Sequence, residues 1–180
     1  SFLDLSEDNA EAIEANKHLV VFFWQDFCGY CKNTIEKNLT QQSIRDVFDE
    51  HFDVVALNIW GSKEVYGLDG TVTTEKEIAR SLGVQFTPTI IFFNADGKPV
   101  LRLNGYVSPT DMQVALNYVQ NKTYESQTIF EYLAANQPRS ANARLNTQPF
   151  IQDEKNLYVK GRPRAVLFEQ TSCPDCDTFH

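Results

Sequence analysis

The sequence predicts an α/β fold in which a mixed sheet of four to five strands is flanked by helices. Apolar runs typical of buried strands alternate with segments of helical spacing, and a turn-rich hairpin follows the third run. A C-x-x-C pair comes directly after the first apolar run, where a strand would lead into a helix. At 180 residues, the chain is long enough for one well-cored domain with additional segments.

The first half of the chain is predicted to alternate helices and strands. Ser6 is expected to cap the first helix, because its hydroxyl can accept a hydrogen bond from the first turn. The first strand is a continuous apolar run, as expected of a buried strand. The predicted elements are a helix at 6–17, a strand at 18–24, helices at 30–39 and 41–52, and a strand at 53–60. The side chains expected on the helix packing faces are Ala10, Ile13, Ala15, Ile44, Val47, Phe48 and Phe52.

The second half of the chain begins with a glycine-marked loop at 61–74. A short helix is then expected to end at Gly83, since glycine readily adopts the left-handed conformation that closes a helix. Turn residues between two apolar runs predict a hairpin. The predicted elements are a helix at 75–82, strands at 89–93 and 99–103, helices at 109–119 and 124–135, and a polar linker or extended arm at 136–164.

Charge and hydropathy restrict the classes of partner. The formal net charge is -8, so we expect no general affinity for nucleic acid or anionic lipid. No run approaches the roughly 18 apolar residues of a membrane span, and the start at Ser1 shows no signal peptide. We therefore expect a soluble protein without membrane insertion, whose partners are proteins or small thiols.

The pair Cys28 and Cys31 predicts dithiol redox chemistry. A cysteine at a helix N-terminus meets unpaired backbone N–H groups and the positive end of the helix dipole, which favour thiolate over thiol. Cys28 is therefore the predicted nucleophile, and Cys31 would resolve the mixed disulfide formed with a substrate. The intervening residues, Gly29 and Tyr30, would tune the reduction potential. No organic cofactor is required. The alternatives are a structural disulfide or half of a zinc site.

The order of elements, with C-x-x-C after the first buried strand and Phe86-Thr87-Pro88-Thr89 before the hairpin, resembles the thioredoxin fold over residues 1–122. This resemblance implies that Pro88 is a cis-proline facing the cysteines and that the segment before it pairs with the substrate backbone. It also places Trp24 beside the cysteines and leaves room for substrate at Gly105. The substrate-binding residues it implies are Trp24, Gly29, Tyr30, Thr87, Pro88 and Gly105.

Within that superfamily, three segments are similar to the periplasmic thioredoxins of sulfur-oxidising bacteria, the SoxW type. They are residues 24–32, 57–61 and 86–93. This resemblance implies a monomeric periplasmic thiol:disulfide oxidoreductase that takes electrons from a membrane thiol-transporter and reduces oxidised protein cysteines. Gly29-Tyr30 is also similar to the dipeptide of bacterial disulfide isomerases, so an isomerase or oxidase is the first alternative. The second is a module that binds a metal or a partner through its cysteines.

One departure from the thioredoxin pattern concerns proton transfer. Thioredoxins keep a buried Asp before the nucleophile and a Lys on the next strand, and the matching positions here are Phe22 and Ala56. Deprotonation of Cys31 would then depend on water or on another group. Asp26, two residues before Cys28, is expected to lie nearer the surface than the missing acid would, and could act as a weak general base.

The second pair, Cys173 and Cys176, repeats the first at an offset of 145 residues, together with the apolar run before it. A complete second domain of this kind needs on the order of 100 residues, whereas the sequence stops four residues after Cys176. We therefore expect three parts: a thioredoxin-like domain at 1–122, a helix and linker at 123–163, and the truncated start of a second unit, or an extended arm, at 164–180.

Overall fold

The computed structural model describes residues 3–136, which form a four-stranded mixed sheet between two layers of helices. The strands are β1 (Leu3–Asp4), β2 (His18–Trp24), β3 (Phe52–Asn58), β4 (Glu64–Tyr66), β5 (Val72–Thr74), β6 (Thr89–Phe93) and β7 (Pro99–Asn104). The helices are α1 (Leu5–Glu14), α2 (Gly29–Asn33), α3 (Gln42–His51), α4 (Glu75–Ser81), α5 (Pro109–Gln120) and α6 (Ile129–Asn136). The predicted fold class is confirmed.

The central sheet has the strand order β3-β2-β6-β7. Strand β2 runs parallel to β3 and antiparallel to β6, and β6 and β7 form the predicted antiparallel hairpin. Strands β2 and β6 are apolar along nearly their whole length because helices cover both faces of the sheet. Both occupy the residues predicted from the sequence. Strand β3 lies at one edge, and among residues 3–136 no other strand pairs with its outer side.

Alternate side chains of the central strands divide the core into two layers. On one face they pack against α3 and α5, and on the other against α1 and α4. The largest buried side chains of the first layer include Val20, Ile44, Phe52, Phe92, Met112 and Leu116. Those of the second include Leu5, Leu19, Phe23, Leu57, Ile91 and Phe93. The stripe predicted on the helix at 41–52 is confirmed at Ile44 and Phe48, which are buried, and Val47 is partly buried against the same layer. Phe52 is also buried, but it is the first residue of β3 and not part of the helix.

The first helix differs from its prediction. Asp4, not Ser6, caps α1, and its carboxylate accepts hydrogen bonds from the backbone N–H groups of Ser6 and Glu7, both at 3.0 Å. The pKa of Asp4 is held below its usual value, mainly by the hydrogen bond from the Ser6 hydroxyl and next by that from the Glu7 N–H. The buried side chains are Leu5 and Ala12, two helical turns apart, whereas the predicted packing residues Ala10, Ile13 and Ala15 are exposed.

The predicted loop at 61–74 contains two short strands. Strands β4 and β5 pair antiparallel, and β4 also pairs parallel with β1 to complete a second, three-stranded sheet. Of the three residues of β4, only Val65 is buried, so the segment has too little apolar pattern to be predicted as a strand.

Two helical segments also differ in detail from the sequence prediction. The helix expected at 30–39 is α2 followed by a π-helical turn, Thr34–Asn38. The helix expected at 124–135 is a 3₁₀ turn, Thr123–Glu125, followed by α6. Among residues 3–136, no helix combines the length and apolar character needed to cross a bilayer. The predicted linker, and Cys173 and Cys176, lie outside the described residues.

A core substitution tests the two-layer packing. Phe92 is fully buried and touches Phe52 edge-on, with 5.5 Å between the ring centroids. We expect Phe92→Ala to lower the free energy of unfolding by about 3–5 kcal/mol, since it removes apolar contacts and leaves a cavity. Urea denaturation would measure this change. The matched control is Phe130→Ala. Because Phe130 is 79% exposed, its replacement should change the free energy of unfolding by no more than about 0.5 kcal/mol. Equal losses for the two variants would contradict the packing described.

The buried His18 predicts a pH dependence of stability. Burial, and then the nearby charges of Lys122 and His51, lower the pKa of His18 from its ordinary value of 6.5; its Nε2 lies 3.1 Å from the Tyr124 hydroxyl. The unfolded chain therefore binds a proton that the folded chain does not. We expect the stability that neutral His18 contributes to be fully present above pH 6.5 and to be lost as the pH falls towards the lowered pKa. A His18→Gln variant should show a flatter fall in unfolding free energy between about pH 7 and 5; an unchanged slope would contradict the prediction.

Candidate redox site

The cysteine pair lies where β2 leads into α2. Trp24 ends the strand, and the chain turns through Phe27, whose backbone is in the left-handed region at φ 59°. Cys28 then caps α2, and its Sγ accepts a hydrogen bond from the backbone N–H of Cys31 at 3.1 Å. The two cysteines are joined in a disulfide with their Cα atoms 5.2 Å apart. Cys28 is partly exposed, whereas Cys31 is only 6% exposed.

The segment before β6 faces this pair. The Thr87 hydroxyl lies 3.3 Å from Cys28 Sγ, as a hydrogen-bond donor, although the two residues are 59 positions apart in sequence. The peptide bond between Thr87 and Pro88 is cis. The backbone N–H of Gly105, just after β7, donates to the Pro88 carbonyl at 2.8 Å. A Cβ at Gly105 would meet no atom within 4 Å, so there is open space next to this position.

The remaining predicted site residues lie on the cysteine turn or at the end of β2. Gly29 is exposed, with open space where a Cβ would be, and Tyr30 is also exposed. Trp24 is half-buried, and its carbonyl accepts a hydrogen bond from the Ile59 N–H at 3.0 Å. Asp26 is exposed. The structure thus directly joins Cys28, Cys31 and Thr87, and places Gly29 and Tyr30 between the two cysteines.

Phe22 and Ala56 mark the place where a thioredoxin would carry its buried acid and lysine. They are directly opposite each other on β2 and β3, and both line a pocket of about 510 Å³. The pocket runs under the helical segment that follows the cysteines, where Thr34 and Ile35 form part of its wall. The two positions at which thioredoxins carry an acid and a lysine therefore line a largely apolar pocket in this structure.

Two contacts near the site were not predicted. The Asn38 side-chain amide donates to the Val107 carbonyl at 3.1 Å, and the Lys37 ammonium lies 5.5 Å from the centre of the Tyr106 ring. Both tie the helical segment after the cysteines to the loop that follows Gly105. These partners are almost 70 positions apart, and no sequence pattern marks such a contact.

The arrangement supports thiol–disulfide exchange. Cys28 is partly exposed, and its Sγ accepts two hydrogen bonds. Donors of this kind stabilise a thiolate relative to a thiol. Cys31, the disulfide partner of Cys28, is buried. Among residues 3–136, no group of three or more His, Cys, Asp and Glu side chains is arranged to hold a metal ion.

Fold and site together define a dithiol protein of the thioredoxin class. The sequence profile of the thioredoxin-like domain family matches residues 5–120, and the chain belongs to this family. A thioredoxin-like protein of Haemophilus influenzae is 26% identical over 120 residues, which cover 61% of this chain and 68% of the relative.

Solved structures show the same fold. A thioredoxin-fold protein from Helicobacter pylori aligns with a TM-score of 0.60 at 24% identity, covering 72% of this chain and 94% of that one. A thioredoxin from Thermus thermophilus aligns with a TM-score of 0.52 at 22% identity, covering 66% and 85%. A candidate disulphide-isomerase from Bacteroides thetaiotaomicron aligns with a TM-score of 0.51 at 26% identity, covering 71% and 94%.

The contact between Thr87 and Cys28 predicts a shift in reduction potential. Thr87→Val removes the hydroxyl donor and should destabilise the Cys28 thiolate, so the disulfide becomes harder to reduce. We expect the potential to fall by roughly 20 mV, which corresponds to about 1 kcal/mol for a two-electron couple. Equilibration with glutathione would measure the shift. Thr40→Val is the matched control, because the Thr40 hydroxyl bonds to the Glu36 carbonyl instead. A potential that rises, or that shifts equally in both variants, would contradict this role.

Proposed function

We propose that this chain is a periplasmic thiol:disulfide oxidoreductase that reduces protein disulfides through Cys28 and Cys31. The observation that carries the proposal is the asymmetry of the pair. Cys28 is partly exposed and its sulfur accepts hydrogen bonds from the Cys31 N–H and the Thr87 hydroxyl, whereas Cys31 is buried. An accessible, stabilised sulfur beside a protected one is what a nucleophile and its resolving partner require.

The reaction proceeds in two exchanges. The Cys28 thiolate attacks one sulfur of the substrate disulfide, a new S–S bond forms, and the other substrate sulfur leaves as a thiolate and takes up a proton. Cys31 then loses its proton and attacks Cys28 Sγ, which releases the second substrate sulfur as a thiol. The substrate gains two electrons and two protons, and the protein is left with the Cys28–Cys31 disulfide.

The substrate would be held beside the exposed sulfur. In this proposal its backbone lies along Thr87 and Pro88, and the open space at Gly105 admits the chain on the other side. Gly29 and Tyr30 border the sulfur on the exposed turn, and Trp24 supports that turn from the end of β2.

The apolar pocket beside Phe22 and Ala56 affects how Cys31 loses its proton. No carboxylate occupies these two positions, so in this proposal the Cys31 proton passes to water or to the exposed Asp26.

The electron donor proposed is a membrane thiol-transporter, and the chain is proposed to act as a monomer. The organisation proposed beyond the domain is a helix and linker at 123–163 and a second cysteine-bearing unit, or arm, at 164–180.

An isomerase or oxidase is the second candidate. The similarity to the candidate disulphide-isomerase from Bacteroides thetaiotaomicron favours it, at 26% identity over 71% of this chain. The reduction potential separates the two. A value near -270 mV supports a reductase, and one near -120 mV supports an oxidase or isomerase. The measurement should use a variant with Cys173 and Cys176 replaced by serine, so that the measured potential is that of the Cys28–Cys31 pair alone.

A module that binds a metal or a partner through its cysteines is the remaining alternative. It is tested by metal analysis of the full chain after purification under reducing conditions. Stoichiometric zinc would support this alternative and oppose the redox proposal, since zinc would occupy the thiolates needed for exchange.

The two cysteines should behave differently when replaced. In the background without Cys173 and Cys176, we expect Cys31→Ser to accumulate a covalent mixed disulfide with a protein substrate, because nothing resolves it. We expect Cys28→Ser to accumulate none and to lose at least about a hundredfold of the reductase activity with insulin. Non-reducing gel electrophoresis and mass spectrometry would detect the adduct. An adduct at Cys31 in the Cys28→Ser variant, in yield equal to that at Cys28, would contradict the assigned roles.

A further inference from the structure

A second pocket lies at the edge of the sheet opposite the cysteines. Its volume is about 330 Å³, and it is formed where β2 begins, at His18, and where the hairpin turn 94–96 follows β6. Cys28 comes after the other end of β2, and a strand of seven residues spans roughly 20 Å. A molecule bound in this pocket would therefore not touch the sulfurs, so the pocket is a separate site.

The ends of two helices supply polar side chains to this pocket. Asn16 follows α1 and Lys122 follows α5, and both have a left-handed backbone, at φ 57° and 51°. Glycine is the usual residue at such a helix end, because a Cβ is unfavourable there. Asparagine adopts this conformation more often than most residues, whereas lysine does so rarely. Both side chains line the pocket, so each position places a polar group where glycine would place none.

One hydrogen-bond acceptor beside the pocket has no partner. Gln120, the last residue of α5, lines the pocket, and its Oε1 is buried with no donor from residues 3–136. The nitrogen of the same amide donates to Asn117 Oδ1 at 3.2 Å. A buried acceptor without a donor is unfavourable. A small rotation of the amide would turn this oxygen towards the pocket, where an N–H group of a ligand would supply the missing bond.

The charges that line the pocket are of both signs. Lys122 makes no ion pair with any carboxylate of residues 3–136, and within that part of the chain Asp96 and Glu125 are likewise without an ion-pair partner. Lys17, by contrast, is already paired with Asp53 at 3.0 Å. An anion alone would meet two carboxylates, and a cation alone would meet Lys122. A molecule with one group of each sign can pair with both.

We propose that this pocket binds a small zwitterion, an amino acid or dipeptide with free ammonium and carboxylate groups. The carboxylate of the ligand pairs with Lys122, and its ammonium, which has three donors, faces Asp96, Glu125 and the Gln120 oxygen. The volume is at the lower end of the range for ligand sites, which suits a molecule of this size. The inference concerns a site separate from the cysteines and does not depend on disulfide exchange.

The test is an NMR titration of the full chain, with the Cys28–Cys31 disulfide formed, that follows the backbone amides. The probes are L-alanine and L-alanyl-L-alanine, and the N-acetyl and C-terminal amide forms of the dipeptide each lack one charge. We expect saturable shifts of the amides at 16–18, 94–96 and 120–125, with a Kd of about 1 mM or tighter for one or both zwitterions. Removal of either terminal charge from the dipeptide should weaken binding about tenfold.

Matched variants locate the binding groups. Lys122→Asn removes the positive charge but keeps a residue that tolerates the left-handed backbone, and it should weaken binding about tenfold. Gln120→Leu removes the unpaired acceptor and should weaken binding about fivefold. The control is Lys98→Asn, which removes an exposed positive charge from the same hairpin outside the pocket and should leave the Kd unchanged.

The outcomes separate this inference from the proposed function. Absence of saturable shifts with both zwitterions overturns the inference, as does equal or tighter binding of either singly charged dipeptide. Equal losses of affinity in Lys122→Asn and Lys98→Asn also overturn it, because the effect would then not be local to the pocket. None of these results concerns the sulfurs, so the proposed function would stand. A chain that binds the zwitterion but does not reduce insulin would overturn the proposed function and leave this inference standing.

Discussion

The pairing of β2 with β3 on one side and with β6 on the other sets the geometry of the site. It fixes the positions of three residues next to the site: Trp24, the last residue of β2; Asn58, the last residue of β3; and Thr89, the first residue of β6, after the cis-proline. Side chains alternate across a strand, so a shift of one residue in register would exchange the two core layers. Burial of the apolar side chains of β2 and β6 opposes that shift. The site residues at the strand ends are therefore held in place by packing in the core, away from the site itself.

The sequence predicted the parts of the fold whose patterns are local. Strands β2 and β6 are continuous apolar runs, and their predicted limits are confirmed. The predicted cap of α1 is wrong. Asp4 and Ser6 are both good capping residues, and the sequence does not show that the helix begins at Leu5, directly after Asp4. The sequence does not predict strands β4 and β5, because each is three residues long and pairs with a partner that sequence spacing does not identify.

The site was predictable to different degrees for similar reasons. The cysteine pair is a sequence motif, and its place at the start of α2 follows from the apolar run before it. The approach of Thr87 to Cys28 spans 59 positions and was expected only from the resemblance to thioredoxins. The tie between Asn38 and Val107 and the bond between Trp60 and Gln25 had no signal at all. Polar side chains of these types occur throughout the chain, and only the folded backbone shows which of them meet.

The position of β3 at the edge of the sheet gives the two parallel strands unequal protection from solvent. Strand β2 has a hydrogen-bonding neighbour on each side, whereas β3 has one among residues 3–136, and its Val54 is half exposed. Outward-facing peptide groups of an edge strand can exchange their hydrogens with water without breaking a strand pair. Along β3, slowly and rapidly exchanging amides should therefore alternate, while those of β2 are uniformly slow. The strand that leads into the Cys28 turn is then the more rigid of the two.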